Sequence, residues 1–110
     1  MFVTSDGSPY SRFKRALANG NLLMIRAAAA ELPRIGLRDA LEICLVVRGQ
    51  DGDRFERAAV RWLGRFALEA RDVTIEAIQT AAAALDAMPQ QPERSMETLA
   101  GLCVRHSVTV

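Results

Sequence analysis

Histidine occurs once in these 110 residues, at position 106, and lysine once, at position 14. Cysteine occurs twice, and aromatic side chains make up only 5% of the chain. Each scarcity removes a class of reading. General acid–base catalysis at neutral pH is most often built on an imidazole held by a second group, and His106 has no such partner in its vicinity of the sequence. At the end of a helical pattern it is better explained as a residue favoured by the helix dipole. Cys103 and His106 are three apart, a spacing that sets two ligands on one helix face, and Cys44 offers a third. A structural zinc site takes about four. No metal and no cofactor are therefore expected.

Phosphate-binding and calcium-binding loops are also missing. Gly49-Gln50-Asp51-Gly52 lacks the lysine and hydroxyl residue of a P-loop, and Asp51, Gly52 and Asp53 lack the spaced carboxylates of a calcium loop. There is no Gly-x-Ser-x-Gly. The chain is not expected to be an enzyme.

A bias of charge is lacking as well: the formal net charge is +1. Dedicated nucleic-acid binders are usually more basic, and membrane-surface proteins more lopsided. The longest apolar run, 22–30, is broken by Arg26 and is far shorter than the roughly 20 residues of a membrane span. Residues 1–8 carry Asp6 and no basic stretch ahead of an apolar one, so no secretory leader is expected. Cys44 and Cys103 lie inside apolar helical patterns, which reads as two buried thiols in a reducing cytoplasm, with a disulfide between them as the alternative. Thirteen arginines against one lysine point to a GC-rich coding genome, hence a bacterium or its phage as the expected source.

What remains is an ordinary globular composition, half hydrophobic and one quarter charged, with helical periodicity from end to end. Ser8-Pro9 is an N-cap followed by proline at the first helical position. It opens a helix over 9–18 that carries Tyr10, Phe13 and Leu17 and stops at Asn19-Gly20. Asn21 caps a second helix running to Leu32, ended by Pro33, with a face of Leu22, Ile25, Ala29 and Leu32. Having only Arg26 and Glu31 as charges, it is expected to be central and mostly buried. A third helix, 37–48, has a stripe of Leu37, Ala40, Leu41, Cys44 and Leu45. Asp51 or Asp53 caps a long fourth helix to Ala70, with Phe55, Ala59, Trp62, Phe66 and Ala70 on one face. Asp72 or Thr74 caps a fifth with Ile75, Ile78, Ala82 and Leu85, and Pro92 opens a sixth with Met96, Leu99, Cys103 and Val104 that frays by His106. No stretch alternates with period two, so no strand is predicted.

The fold class is all-α: about six helices as stacked antiparallel hairpins, in a small HEAT-like solenoid or a compact bundle. The expected organisation is a flexible arm over 1–8, one helical domain over 9–106 and a tail over 107–110. A shift of 53 residues sets Arg12-Phe13 on Arg65-Phe66, Asn21 on Thr74, Leu22 on Ile75 and Leu32 on Leu85. With six more residues allowed in the following loop, Cys44 meets Cys103. Capping residues fall on capping residues, which implies two pseudo-repeats of three helices, about 9–48 and 54–106. Chance alignment of two alanine-rich helices is the competing explanation.

Two surface features are candidate interaction sites. Arg54, Arg57, Arg61 and Arg65 fall within about 80° of one another at 100° per residue, opposite the aromatic face of the fourth helix. Guanidinium forks in a stripe suit an acidic protein or a nucleic-acid backbone. A solvated face, partly neutralised by Asp53 and Glu69 at i, i+4, explains the same residues. The third helix adds Ile43, Val46 and Val47 outside its main stripe, so it is apolar nearly all round. These three are the candidate apolar interface, for a protein partner or a second copy in a homodimer; two central helices sharing one core is the competing explanation. The same character unfits it as a recognition helix for DNA, which must offer polar side chains to base edges. The functional expectation is a non-catalytic helical interaction module, an adaptor or regulator in the cytoplasm with no membrane association, with a nucleic-acid-associated factor as the alternative.

Overall fold

The computed structural model describes residues 7–108. Six helices and no strand occur among them: α1 (Pro9–Asn19), α2 (Leu22–Ala29), α3 (Leu37–Val47), α4 (Gly52–Glu69), α5 (Ile75–Ala87) and α6 (Pro92–Arg105). The protein is all-α, and for every helix but α3, which starts at Gly36 without a side-chain cap, the local chemistry that starts it is the chemistry read from its sequence. The Ser8, Asn21 and Thr74 side chains accept from the backbone N–H three residues on, and Asp51 accepts from Asp53 and Arg54. Pro92 stands at the start of α6, where its missing N–H leaves nothing unsatisfied. Asn21 and Thr74, matched by the 53-residue shift, make the same cap.

The helix ends depart further from expectation. α2 stops at Ala29, three residues short of Leu32. Proline at 33 disfavours helical geometry at Leu32, and the chain unwinds through tighter bonds, Glu31 N–H to Ala28 O at 3.2 Å and Leu32 N–H to Ala29 O at 3.0 Å. α6 does not fray. Ser107 takes the left-handed conformation, φ 54°, its N–H bonds to Val104 O at 3.2 Å, and the Val108 N–H reaches Cys103 O at 2.9 Å. This pair of bonds is a Schellman closure with serine where glycine is usual. Ser107 and Val108, assigned to a tail, thus belong to the helix cap, and Val108 is buried. At the other end Ser8, assigned to the arm, is the α1 cap. Residues 1–6 of the arm and 109–110 of the tail lie outside the described residues.

The contacts group the chain into two compact units that divide between Ile35 and Gly36, within the stretch read as one domain. In the first unit α1 and α2 form one hairpin. Gly20, at φ 70°, makes its turn, donating to Ala16 O and Leu17 O. In the second unit α3 packs on α4, α4 on α5, α5 on α6 and α6 on α3, a closed ring of four helices. Within each unit, short connections make successive helices antiparallel. This grouping of two helices and four differs from the three-plus-three division that the 53-residue shift implies.

The core of the second unit is centred on α4. Phe55, Ala59, Trp62 and Phe66 are all buried, as their spacing requires. The Trp62 and Phe66 rings stack at 5.4 Å. The Trp62 indole N–H, 2% exposed with its side chain, donates to Leu37 O at 2.7 Å and so ties α4 to the start of α3. Leu37, Leu41, Cys44 and Val47 of α3 and Leu99, Leu102 and Cys103 of α6 complete that core. No buried side-chain nitrogen or oxygen among the described residues lacks a hydrogen-bond partner, the buried Asp39 included.

α5 buries a different face from the one its large residues suggest. Ala77, Ala81, Ala84 and Leu85 point inward, while Ile75 is exposed and Ile78 half-buried. Small side chains let α5 and α6 approach closely, and that seam, not the bulkiest stripe, sets the rotation of the helix. On α6, for the same reason, Leu102 is buried and Val104 exposed.

Candidate interaction surfaces

The α4 arginines divide into two kinds. Arg54 reaches Asp51 at 3.9 Å, and Arg65 bonds Glu69 at 2.7 Å. Arg57 and Arg61 are exposed, and neither makes a side-chain hydrogen bond or ion pair among the described residues. The pairing expected between Glu69 and Arg65 is present; none joins Asp53 to Arg57. Two free guanidinium groups one turn apart therefore stand between two that are already engaged.

Their surroundings are apolar, which the arginine stripe alone does not convey. Val60 is 65% exposed and Leu68 87%. With Gly64 between them they form an i, i+4, i+8 line on the same side of α4 as Arg57 and Arg61. A Cβ built on Gly64 would meet nothing within 4 Å, so this glycine answers no packing demand within the chain. The signal was legible: on a 100° helical projection Val60, Gly64 and Leu68 lie on the arginine side, away from Phe55, Trp62 and Phe66.

The candidate apolar interface on α3 is placed differently. Val47 is 3% exposed and belongs to the core; Ile43 and Val46 are half-buried. A helix enclosed by two ring neighbours buries most of its circumference, so an apolar outline there serves packing.

The reverse holds for α2, expected to be central. Only Ile25 is buried on it. Leu23 is 77% exposed, and Met24, Ala27 and Ala30 are exposed too. A two-helix hairpin has one seam, so within the first unit α2 buries one side only, and alanines contribute little area to drive more. Beside this ridge an open groove of about 380 Å³ lies between α1 and α2, lined by Arg12, Ala16, Asn19, Met24, Ala27 and Glu31. Arg12 Nη2 donates to Glu31 Oε1 across it at 2.7 Å.

The groups most suited to chemistry at neutral pH have structural tasks. His106 Nδ1 lies 3.0 Å from Arg71 O; a carbonyl only accepts, so Nδ1 carries the proton. The Arg71 N–H donates to His106 O at 2.8 Å, and the ring meets Phe66 edge-on at 6.1 Å. His106 thus clasps the α4–α5 loop to the end of α6. Burial pushes the Cys44 thiol up to about 11. The Cys103 thiol is raised as well, by burial first, with Arg38 lowering it and Glu69 raising it. Both cysteines are unpaired and buried. No group of three or more His, Cys, Asp or Glu side chains is placed to hold a metal ion among the described residues, and no helix there is long and apolar enough to cross a membrane.

Fold and surface together define an all-α protein of antiparallel helical hairpins that exposes apolar and cationic helix faces. No family model, no curated protein and no solved structure matches the chain.

Proposed function

We propose that the protein is a non-catalytic helical interaction module, an adaptor or regulator that docks an acidic protein surface on the outer face of α4. The observation that carries this reading is the free, exposed pair Arg57 and Arg61 beside the exposed Val60 and Leu68. Guanidinium forks select carboxylates and orient them, while the apolar line supplies burial that a purely cationic stripe lacks. The tying-up of His106 and the raised, buried thiols support a role without chemistry.

The nucleic-acid reading uses the same helix and is weaker. Two of the four arginines are engaged by Asp51 and Glu69, and a phosphate backbone has no use for Leu68. Photo-crosslinking from positions 60 and 68 in the native host tests both readings. Capture of one acidic protein from both positions, lost in Arg57→Glu with Arg61→Glu, supports the module. Cross-links to nucleic acid, with salt-sensitive heparin retention that the same double variant abolishes, favour the alternative. A capture indifferent to the two charge reversals refutes the docking face.

A further inference from the structure

We infer that α2 is a self-association surface: two copies of this chain pack α2 on α2 in parallel about a two-fold axis, through Leu23, Ala27 and Ala30. Arg26 of each copy then pairs with Glu31 of the other.

The starting point is a mismatch between composition and burial. α2 has the least polar sequence of the six helices, Leu22–Ala29 with one charge, yet keeps a single residue, Ile25, in the core. On the side opposite Ile25 stand Leu23, Ala27 and Ala30, all exposed. Their spacing of four and then three residues is the seam of a two-stranded coiled coil, with leucine at one d position and alanines at the next a and d. Alanine at the middle of the seam permits a close approach of two helix axes.

Charge selects the occupant and its direction. Arg26 lies on one side of the seam; Glu31, in the tight turn two residues past the end of α2, lines the α1–α2 groove with Met24 on the other side, five residues on. In a parallel two-fold pair that is the relation of a g residue to the e residue of the facing chain, so each Arg26 meets a Glu31. An antiparallel pair would set Arg26 against Arg26 and Glu31 against Glu31. Both groups are available. The Arg26 guanidinium has no partner among the described residues, and Glu31 engages Arg12 through Oε1, leaving Oε2. A second copy of the chain supplies this complementarity with no further assumption.

The surface spans about two helical turns, well below the roughly 800 Å² per partner of a standard stable interface. The association is accordingly reversible, with a dissociation constant on the order of 10–500 µM. Sedimentation equilibrium at low ionic strength over that range should show a monomer–dimer equilibrium. Arg26→Glu and Glu31→Arg should each weaken it about tenfold, and the double swap should restore it to within about threefold. Arg12→Gln separates loss of the intrachain pair from loss of the intermolecular one and should leave dimerisation unchanged. Leu23→Cys adds a readout of direction. The native thiols are buried, and a parallel pair brings the two 23 positions together, so mild oxidation should give a disulfide-linked dimer. A wild-type chain that stays monomeric to about 500 µM, a double swap that fails to restore association, or a Leu23→Cys protein that does not cross-link would each overturn the proposal. Circular dichroism of every variant confirms that the helices persist.

Discussion

Replacing Trp62 by phenylalanine tests whether the second unit is held as its geometry states. Two losses follow. The indole N–H bond to Leu37 O, 2.7 Å long and buried, disappears; a net intramolecular hydrogen bond is worth about 1 kcal/mol. The smaller ring also leaves a void of about 40 Å³, which at about 24 cal/mol per Å³ costs a further ~1 kcal/mol. Leu37 O loses its indole partner but keeps its place as a helical acceptor in α3, so no full desolvation penalty is added. Stacking on Phe66 survives in part, since phenylalanine retains a ring facing it. The sum is about 2 kcal/mol, a sizeable fraction of the 5–15 kcal/mol typical of a small domain. Urea unfolding followed by far-ultraviolet circular dichroism measures it, because the substitution removes the one tryptophan. In the wild type that tryptophan should emit at short wavelength, resist acrylamide and shift red on unfolding. A loss under about 0.5 kcal/mol, or ready quenching of the native emission, would refute the buried, bonded indole.

Three further outcomes are expected. Gly64→Ala and Gly101→Ala, both in exposed helix interiors where an added Cβ meets nothing within 4 Å, should each stabilise by about 0.5–1 kcal/mol in the same unfolding assay; destabilisation by either would show that the space is not open. Ser107→Gly should stabilise by about 0.5–1 kcal/mol, because φ 54° strains a residue with a Cβ and suits glycine, and a lower thermal midpoint would count against the Schellman closure. The Cys44 thiol is raised from 9.0 to about 11 in the folded chain. Its contribution is fully present below pH 9 and is lost as pH rises toward 11, because the unfolded state ionises first, at ~1.4 kcal/mol per pH unit over that window. Cys44→Ala should flatten this alkaline loss, and native Cys44 should react with a thiol reagent far more slowly than the unfolded chain; an unchanged alkaline profile would remove burial as the cause.

The starts of α1, α2, α4 and α5 were legible because capping is local chemistry. Ser8, Asn21, Asp51 and Thr74 each satisfy N–H groups within three residues of themselves, and nothing distant changes that arithmetic. The α4 core stripe was legible for a related reason. Two phenylalanines and a tryptophan on one face leave a single rotation that buries them. α5 and α2 lacked such a dominant side. Runs of alanine have high helix propensity but little difference in burial energy around the circumference, so the facing helix chose the rotation. The exposed Val60 and Leu68 were readable from the helical projection, whereas the division of the arginines into engaged and free was not.

The amino-acid sequence by itself determined that this chain is all-helical, where its helices begin, and which face of α4 turns inward, since those outcomes rest on caps and periodicity within a few residues. Tertiary structure alone decided that α3 sits in a closed ring with Val47 in the core, that α2 turns an apolar ridge outward, and that His106 clasps a loop 35 residues distant. Each of these depends on which helix becomes the neighbour, a choice made by the total area that packing removes from water and not by any local signal.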